Sequence, residues 1–125
     1  MPARRILLVD DDAQLVTLLE RYLNRLGFEV APCCDSRAAL DCFHADGAQF
    51  DLVVADMTMP GLSGEELLRT VLQENAGIRA ILCSGYPTAG AALENEFGDR
   101  VQFLQKPFAS RMLADVIEKL LASGK

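Results

Sequence analysis

The chain has no tryptophan, a single histidine and no apolar run longer than five residues. A bilayer-spanning helix takes about 20 consecutive apolar residues, and no apolar core follows the basic start MPARR, where a secretory signal would need one. The sequence therefore reads as cytoplasmic, with no membrane contact. Basic residues are also in deficit: 12 lysines and arginines face 18 aspartates and glutamates, for a formal net charge of -6. Direct nucleic-acid binding needs a basic face, so a cation or a basic protein surface is the more natural partner. The four cysteines, Cys33, Cys34, Cys42 and Cys83, make no CxxC pair and have no histidine at zinc-site spacing. They read as free thiols in a reducing compartment. The lone His44 falls near the end of a polar-faced helical stretch and reads as a surface residue, neither phosphate carrier nor metal ligand.

What the chain does have is a repeating alternation. Half of its 125 residues are apolar, enough for one domain, taken as residues 1–125, with a two- or three-layer core. Short apolar runs recur at 6–10 (ILLVD), 28–33 (FEVAPC), 51–56 (DLVVAD), 79–84 (RAILCS) and 101–105 (VQFLQ). Runs that are apolar on both faces suit parallel strands covered on both sides.

Helical patterns fill the gaps. The first carries Leu15, Leu18, Leu19, Tyr22, Leu23 and Leu26 at i, i+3, i+4 spacing and stops at Gly27. The second, about Ser36 to Ala45, turns Ala39, Leu40 and Phe43 inward and ends before Gly47. Ser63 and Glu66 form an S-x-x-E capping box for the third, whose stripe is Leu67, Leu68, Val71 and Leu72. The fourth, within 88–97, has Ala92, Leu93 and Phe97 on one side but also contains Gly90, which in a helix interior costs about 1 kcal/mol against alanine. The fifth repeats Met112, Leu113, Val116, Ile117, Leu120 and Leu121. Strand and helix in alternation predict an α/β fold: a doubly wound five-stranded parallel sheet, flavodoxin-like (βα)5, with helices on both faces and right-handed crossovers.

In open sheets of this kind, ligands collect outside the carboxyl ends of the strands. The residues that end the strands are Asp10 with Asp11, Asp56, Ser84 and Lys106, whereas the second strand ends in Pro32 and Cys33 and offers no charge. Each has an ordinary structural use when alone, since aspartates cap helices, serines close turns and lysines are solvated. Together they point to a site. Three carboxylates within a few ångströms cannot all ionise unless a cation sits among them. An all-oxygen donor set suits Mg2+, which leaves positions open for phosphate oxygens. A lysine, a hydroxyl and a carboxylate able to attack complete a site built to accept a phosphoryl group.

The segments VDDD, DMTMPGLSG, CSG and KPF, at these separations, resemble the receiver domain of two-component response regulators over essentially the whole chain, from Arg5 to about Leu121. The resemblance implies that Asp56 is the phosphoacceptor, taking its phosphoryl group from a phosphohistidine on a histidine kinase or histidine phosphotransfer protein. It also implies that Asp11, Asp56 and the backbone carbonyl of Thr58 bind Mg2+ directly, with Asp10 reaching it mainly through water. Lys106 would pair with Asp56 and then with the phosphoryl group, and Ser84 would hydrogen-bond a phosphoryl oxygen. Asp12 falls at the start of the first helix, where a negative charge suits the dipole. Gly61 and Gly64 permit a tight loop after Asp56 and Pro60 stiffens it. Pro107 resembles a residue that follows the family lysine through a cis bond, and Met57 and Met59 read as loop packing. Thr58 and Tyr86, two residues past Asp56 and Ser84, flank the path of an attacking water without a group to orient it, which implies slow loss of phosphate.

Two features depart from the commonest family pattern. The switch aromatic, three residues before the lysine, is often tyrosine and is Phe103 here, so its inward rotamer buries no hydroxyl. Its outward rotamer would expose an apolar ring on a partner-docking face formed by the fourth helix, fifth strand and fifth helix. The runs CSGYP at 83–87 and FLQKPF at 103–108 resemble receivers joined to hybrid histidine kinases. The expected state is a monomer or weak dimer, with self-promoted phosphorylation and dephosphorylation but no turnover of a separate substrate. Three other readings compete. A haloacid-dehalogenase-type phosphatase would use Asp10-x-Asp12 and need a later acidic pair, for which only Asp115 and Glu118 are available. A receiver-like interaction module would lack phosphotransfer. A nucleotide-binding flavodoxin-like domain would want a glycine- or hydroxyl-rich loop where this chain has DDDA.

Overall fold

The computed structural model describes residues 4–46, 49–86 and 90–122. Strands β1 (Arg5–Val9), β2 (Glu29–Cys33), β3 (Leu52–Asp56), β4 (Arg79–Ser84) and β5 (Val101–Gln105) alternate with helices α1 (Ala13–Arg25), α2 (Ser36–Asp46), α3 (Gly64–Glu74), α4 (Ala91–Phe97) and α5 (Ser110–Ala122). The strands form one parallel sheet in the order β2-β1-β3-β4-β5. The chain thus moves outward from β1 to β2, returns to β3 and continues the other way, leaving a crevice where the direction reverses. Among the described residues no helix is long and apolar enough to cross a membrane.

Period-two side-chain alternation along the strands builds a core on each face of the sheet. Leu7, Val9, Val53, Ala55, Ala80 and Leu82 pack with Ala39 and Phe43 of α2 and with the α3 stripe Leu67, Leu68, Val71 and Leu72. Ile6, Leu8, Leu52, Val54, Ile81 and Cys83 pack with Val16, Leu19 and Leu23 of α1 and with Leu113, Ile117 and Leu120 of α5. The α3 capping box forms in full, the Ser63 side chain accepting from the Glu66 amide and the Glu66 side chain from the Ser63 amide.

Some helix faces differ from the sequence reading. Leu18 of α1, Leu26 at its C-cap and Met112 of α5 are 57%, 49% and 51% exposed, because the sheet covers only one flank of each helix. Val16 takes the inward place instead. Leu40 is only partly buried and Ala92 is exposed. Gly90 is not inside a helix: it is the N-cap of α4 at φ +89, with no side-chain cap. The expected start of that helix at residue 88, as well as Gly47 and Pro87, lies outside the described residues.

Candidate functional site

Strand register assembles the site. β1 pairs with β3 so that Val9 lies opposite Ala55, and the next residues, Asp10 just past β1 and Asp56 at the end of β3, come side by side. β3 pairs Asp56 with Cys83 and β4 pairs Ser84 with Gln105, which brings Ser84 next to Asp56 and Lys106 next to Ser84. Backbone bonds extend the ladder to these residues. Met57 N donates to the Cys83 carbonyl at 2.8 Å, Lys106 N to Ser84 at 2.8 Å and Asp10 N to Cys33 at 3.2 Å.

Asp10, Asp56 and Ser84 are buried, with 5%, 8% and 3% of their surface accessible, whereas Asp11 is exposed. One carboxylate oxygen from each of Asp10, Asp11 and Asp56 lies within 4.8 Å of the other two. Lys106 Nζ is 2.9 Å from both Asp10 Oδ2 and Asp56 Oδ1. The second Asp10 oxygen, Oδ1, accepts the Asp12 amide at 2.9 Å. Both oxygens of Asp10 are therefore engaged by protein groups, and one oxygen of Asp56 shares the same ammonium. Among the described residues, one ammonium pairs with this group of three carboxylates, a balance that two further positive charges, those of one divalent cation, would neutralise.

The two central charges are tuned in opposite ways by the same burial. Desolvation pushes the Asp56 carboxyl above the ordinary carboxylate range; the hydrogen bond from Lys106 opposes this, and the charge of Asp10 adds to it. Desolvation also works against the Lys106 ammonium, but its hydrogen bonds to Asp10 and Asp56 outweigh that and hold its pKa above the ordinary lysine range. Lys106 is thus a fixed positive charge at any physiological pH.

The surrounding loops hold these groups in place. Gly64 N donates to the Met57 carbonyl at 3.0 Å, and a Cβ at Gly64 would fall on the Asp56 carbonyl oxygen, so only glycine allows α3 to start this close to β3. Gly61 adopts φ +79. Met59 is buried and Met57 packs against the same core. Ser84 Oγ accepts the Tyr86 amide at 3.1 Å, while the Tyr86 side chain contributes to a residue that is 69% exposed. Thr58 is exposed, and Pro107 follows Lys106 through a cis peptide bond. Phe103 is partly buried on β5, outside the acidic cluster, and borders Gly90, where an added Cβ would lie 3.7 Å from Phe103 Cβ.

Several groups stay apart from the cluster. Asp12 is exposed and caps α1, accepting from the Gln14 and Leu15 amides at 3.1 and 3.2 Å. Asp115 and Glu118 lie exposed on α5, so the acidic pairs a phosphatase would need do not form. His44 is exposed, with Nε2 3.0 Å from Glu74 Oε1. Sequence reasoning did not find the Asp10–Lys106 ion pair, although adjacent strand ends of opposite charge were the available signal.

A buried acidic cluster bridged by a lysine, at the switch point of a (βα)5 sheet, defines a phosphoacceptor class of domain. Residues 6–118 match the family described as "Response regulator receiver domain", and the chain belongs to that family. It is a receiver domain of two-component signalling, a family whose members accept phosphoryl groups, work with histidine kinases or phosphotransfer proteins, and bind Mg2+ at an acidic pocket. The C4-dicarboxylate transport transcriptional regulatory protein DctD of Pseudomonas aeruginosa is 34% identical over 119 residues, 94% of this chain and 25% of that protein. The sensor kinase CckA of Brucella abortus is 30% identical over 116 residues, 93% of this chain and 12% of that protein. The chain thus spans a quarter or less of these two relatives. A receiver domain protein from Clostridium thermocellum superposes with a TM-score of 0.85 at 26% identity, covering 96% of this chain and 95% of that one.

Proposed function

We propose that Asp56 accepts a phosphoryl group from a phosphohistidine, and that the domain, taken as residues 1–125, uses this to switch a partner-docking face. The observation that carries the reading is Lys106 Nζ bridging Asp10 and Asp56 at 2.9 Å within a cluster of three carboxylates. In the transfer, an Asp56 oxygen bonds to phosphorus while the P–N bond breaks, its electron pair leaving on the imidazole of the donor. Lys106, already fixed and charged, passes from the Asp56 carboxylate to a phosphoryl oxygen. Ser84, whose Oγ accepts from the Tyr86 amide, donates its hydroxyl hydrogen to another phosphoryl oxygen. Asp11, Asp56 and the Thr58 carbonyl are the residues that would hold Mg2+, with Asp10 acting through water. When bound, Mg2+ supplies charge neutralisation for the phosphoryl oxygens.

The docking partner is a histidine kinase or histidine phosphotransfer protein, and the domain itself is a monomer or weak dimer that promotes its own phosphorylation and dephosphorylation. Movement of Ser84 vacates space on the β4–β5 side, and Phe103, a half-buried ring with no hydroxyl to desolvate, turns inward to fill it. The relatives include both a transcriptional regulator and a sensor kinase, and the phosphoacceptor reading applies to a receiver in either setting.

The test is intact-mass measurement after incubation with acetyl phosphate and Mg2+. The wild type should gain one phosphoryl group, Asp56→Asn none, and Lys106→Ala much less than wild type. Full labelling of Asp56→Asn would move the nucleophile elsewhere, with Asp10 the first residue to examine.

A further inference from the structure

The two ends of α4 are held very differently. At its carboxyl end, Glu96 takes two donors from α3, Arg69 Nε at 2.9 Å on one carboxylate oxygen and Gln73 Nε2 at 3.5 Å on the other. Arg69 is fixed in turn from its own helix, its Nη2 donating to Glu65 at 3.2 Å. Phe97 packs against the core shared with α3. The 3-10 turn that follows, Gly98–Arg100, sends Arg100 back onto the end of α3. There its guanidinium donates to the carbonyls of Leu72 at 3.1 Å, Asn75 at 2.6 Å and Ile78 at 3.2 Å, and it lies 5.7 Å from the centre of the Phe97 ring. At the amino end, Gly90 caps the helix without a side chain, and Ala91 and Ala92 are exposed.

A helix of seven residues is well below the length of about 12 at which isolated helices become even marginal in water. Its place is therefore set by its anchors, and apart from the buried Leu93 in the middle these lie at one end. A lone exposed ion pair contributes little, but Glu96 is held by two donors one turn apart on α3, and Phe97 and Arg100 fix the residues beside it. We propose that α4 is a lever hinged on α3 at Glu96 to Arg100, with Arg69, Gln73 and Arg100 as positioning residues and the Gly90 end free to swing.

The free end is the one that meets the acceptor side of the sheet. Gly90 sits over β4 and β5, where an added Cβ would come within 3.3 Å of Leu82 Cδ2 and 3.7 Å of Phe103 Cβ, and Ser84 is two residues beyond Leu82 on β4. This inference rests on the reading that phosphorylation of Asp56 moves Ser84 and Phe103. A ring that turns beneath Gly90 displaces the uncapped end of α4, while the clasp on Glu96 keeps the other end against α3. The face formed by α4, β5 and α5 then tilts about the hinge, and the position of the hinge is set by charged side chains remote from the acceptor.

The experiment is amide relaxation dispersion on the full chain, which reads motion on the μs–ms scale, first in the resting state. In the wild type, exchange broadening should be present at Gly90, Ala91 and Ala92 and absent at Glu96 and Phe97. Arg69→Met and Glu96→Ala, both at the surface of the α3–α4 contact, should bring broadening to Phe97 while the amide shifts of β3 stay in place. Glu65→Gln leaves the bond from Arg69 to Glu96 intact and should keep the wild-type pattern. After acetyl phosphate and Mg2+, resonance shifts should be larger at Gly90 to Ala92 than at Glu96 and Phe97 in the wild type, and comparable at the two ends in Arg69→Met. The same behaviour at both ends of α4 in the resting wild type, or a difference between the ends that survives in both Arg69→Met and Glu96→Ala, would overturn the hinge. Phosphorylation shifts as large at Phe97 as at Gly90 in the wild type would do the same. A wild type that gains no phosphoryl group by mass counts against the Asp56 reading instead, and the resting-state pattern then decides the hinge alone.

Discussion

Asp56 is held where its own charge is unwelcome. Burial raises its folded-state pKa above the ordinary value, Lys106 offsets only part of this, and Asp10 and Asp11 add to it. A carboxyl group with a raised folded pKa contributes stability while it is protonated, below the unfolded value of about 3.9, and loses that contribution as pH rises through the folded pKa. At neutral pH without divalent metal, the ionised Asp56 therefore costs stability. Asp56→Asn keeps the shape and removes the charge, so its melting temperature at pH 7 with chelator should equal or exceed that of the wild type. The difference should shrink as the pH is lowered through the Asp56 titration. A clearly lower melting temperature for Asp56→Asn at pH 7 would show that the Lys106 ion pair outweighs the burial. At this scale the convergence of Asp10, Asp56, Ser84 and Lys106 was legible in the sequence because each ends a strand or directly follows one, where register leaves little freedom. The sequence did not reveal which oxygen each donor would take: the sharing of Lys106 between Asp10 and Asp56, and the Cys33 carbonyl under Asp10, depend on distances across neighbouring strands.

Among the elements, α4 is the least supported. It has seven residues, no side-chain cap and one buried residue, Leu93. Gly90 looked in the sequence like a breaker inside this helix, but it starts the helix in a left-handed conformation that a side chain disfavours by about 1–2 kcal/mol. An added Cβ would also approach Leu82 Cδ2 at 3.3 Å and Phe103 at 3.7 Å. Gly90→Ala should therefore lower unfolding stability by about 1–2 kcal/mol in urea titration. It should also raise amide exchange in α4 more than in α3, whose capping box is untouched. Equal stability to wild type would mean that the start of α4 adapts at no cost. The contrast with α3 explains what could be read in advance. Ser63 and Glu66 sit within one turn and identify their helix without reference to anything distant. The start of α4 depends on β4 and β5 packing beneath it, and the outward turn of Leu18 and Met112 depends on how much of each helix the sheet can cover.

For the molecule as a whole, one balance of charge links fold to function. The chain carries a formal net charge of -6, and its sheet topology gathers three carboxylates at one crevice against a single lysine. Dispersed surface charges repel over distances that salt screens, with a Debye length of about 10 Å at 0.1 M ionic strength. Carboxylate oxygens within 4.8 Å of one another are too close for that screening and need a cation among them. Sodium chloride and magnesium chloride at matched ionic strength should therefore stabilise the domain unequally. A ligand bound only by the folded state adds about 2.7 kcal/mol at one hundred times its dissociation constant, so Mg2+ should raise the melting temperature by several degrees beyond the effect of sodium. Asp11→Asn removes the one carboxylate of the cluster that is open to solvent, and should abolish most of the Mg2+-specific increment while leaving the sodium response intact. The measurement is a set of thermal melts of wild type and Asp11→Asn in the two salts. Identical rises with both salts in the wild type would mean that the cluster is stabilised by Lys106 alone. A full Mg2+ increment in Asp11→Asn would transfer the direct ligand role from Asp11 to Asp10.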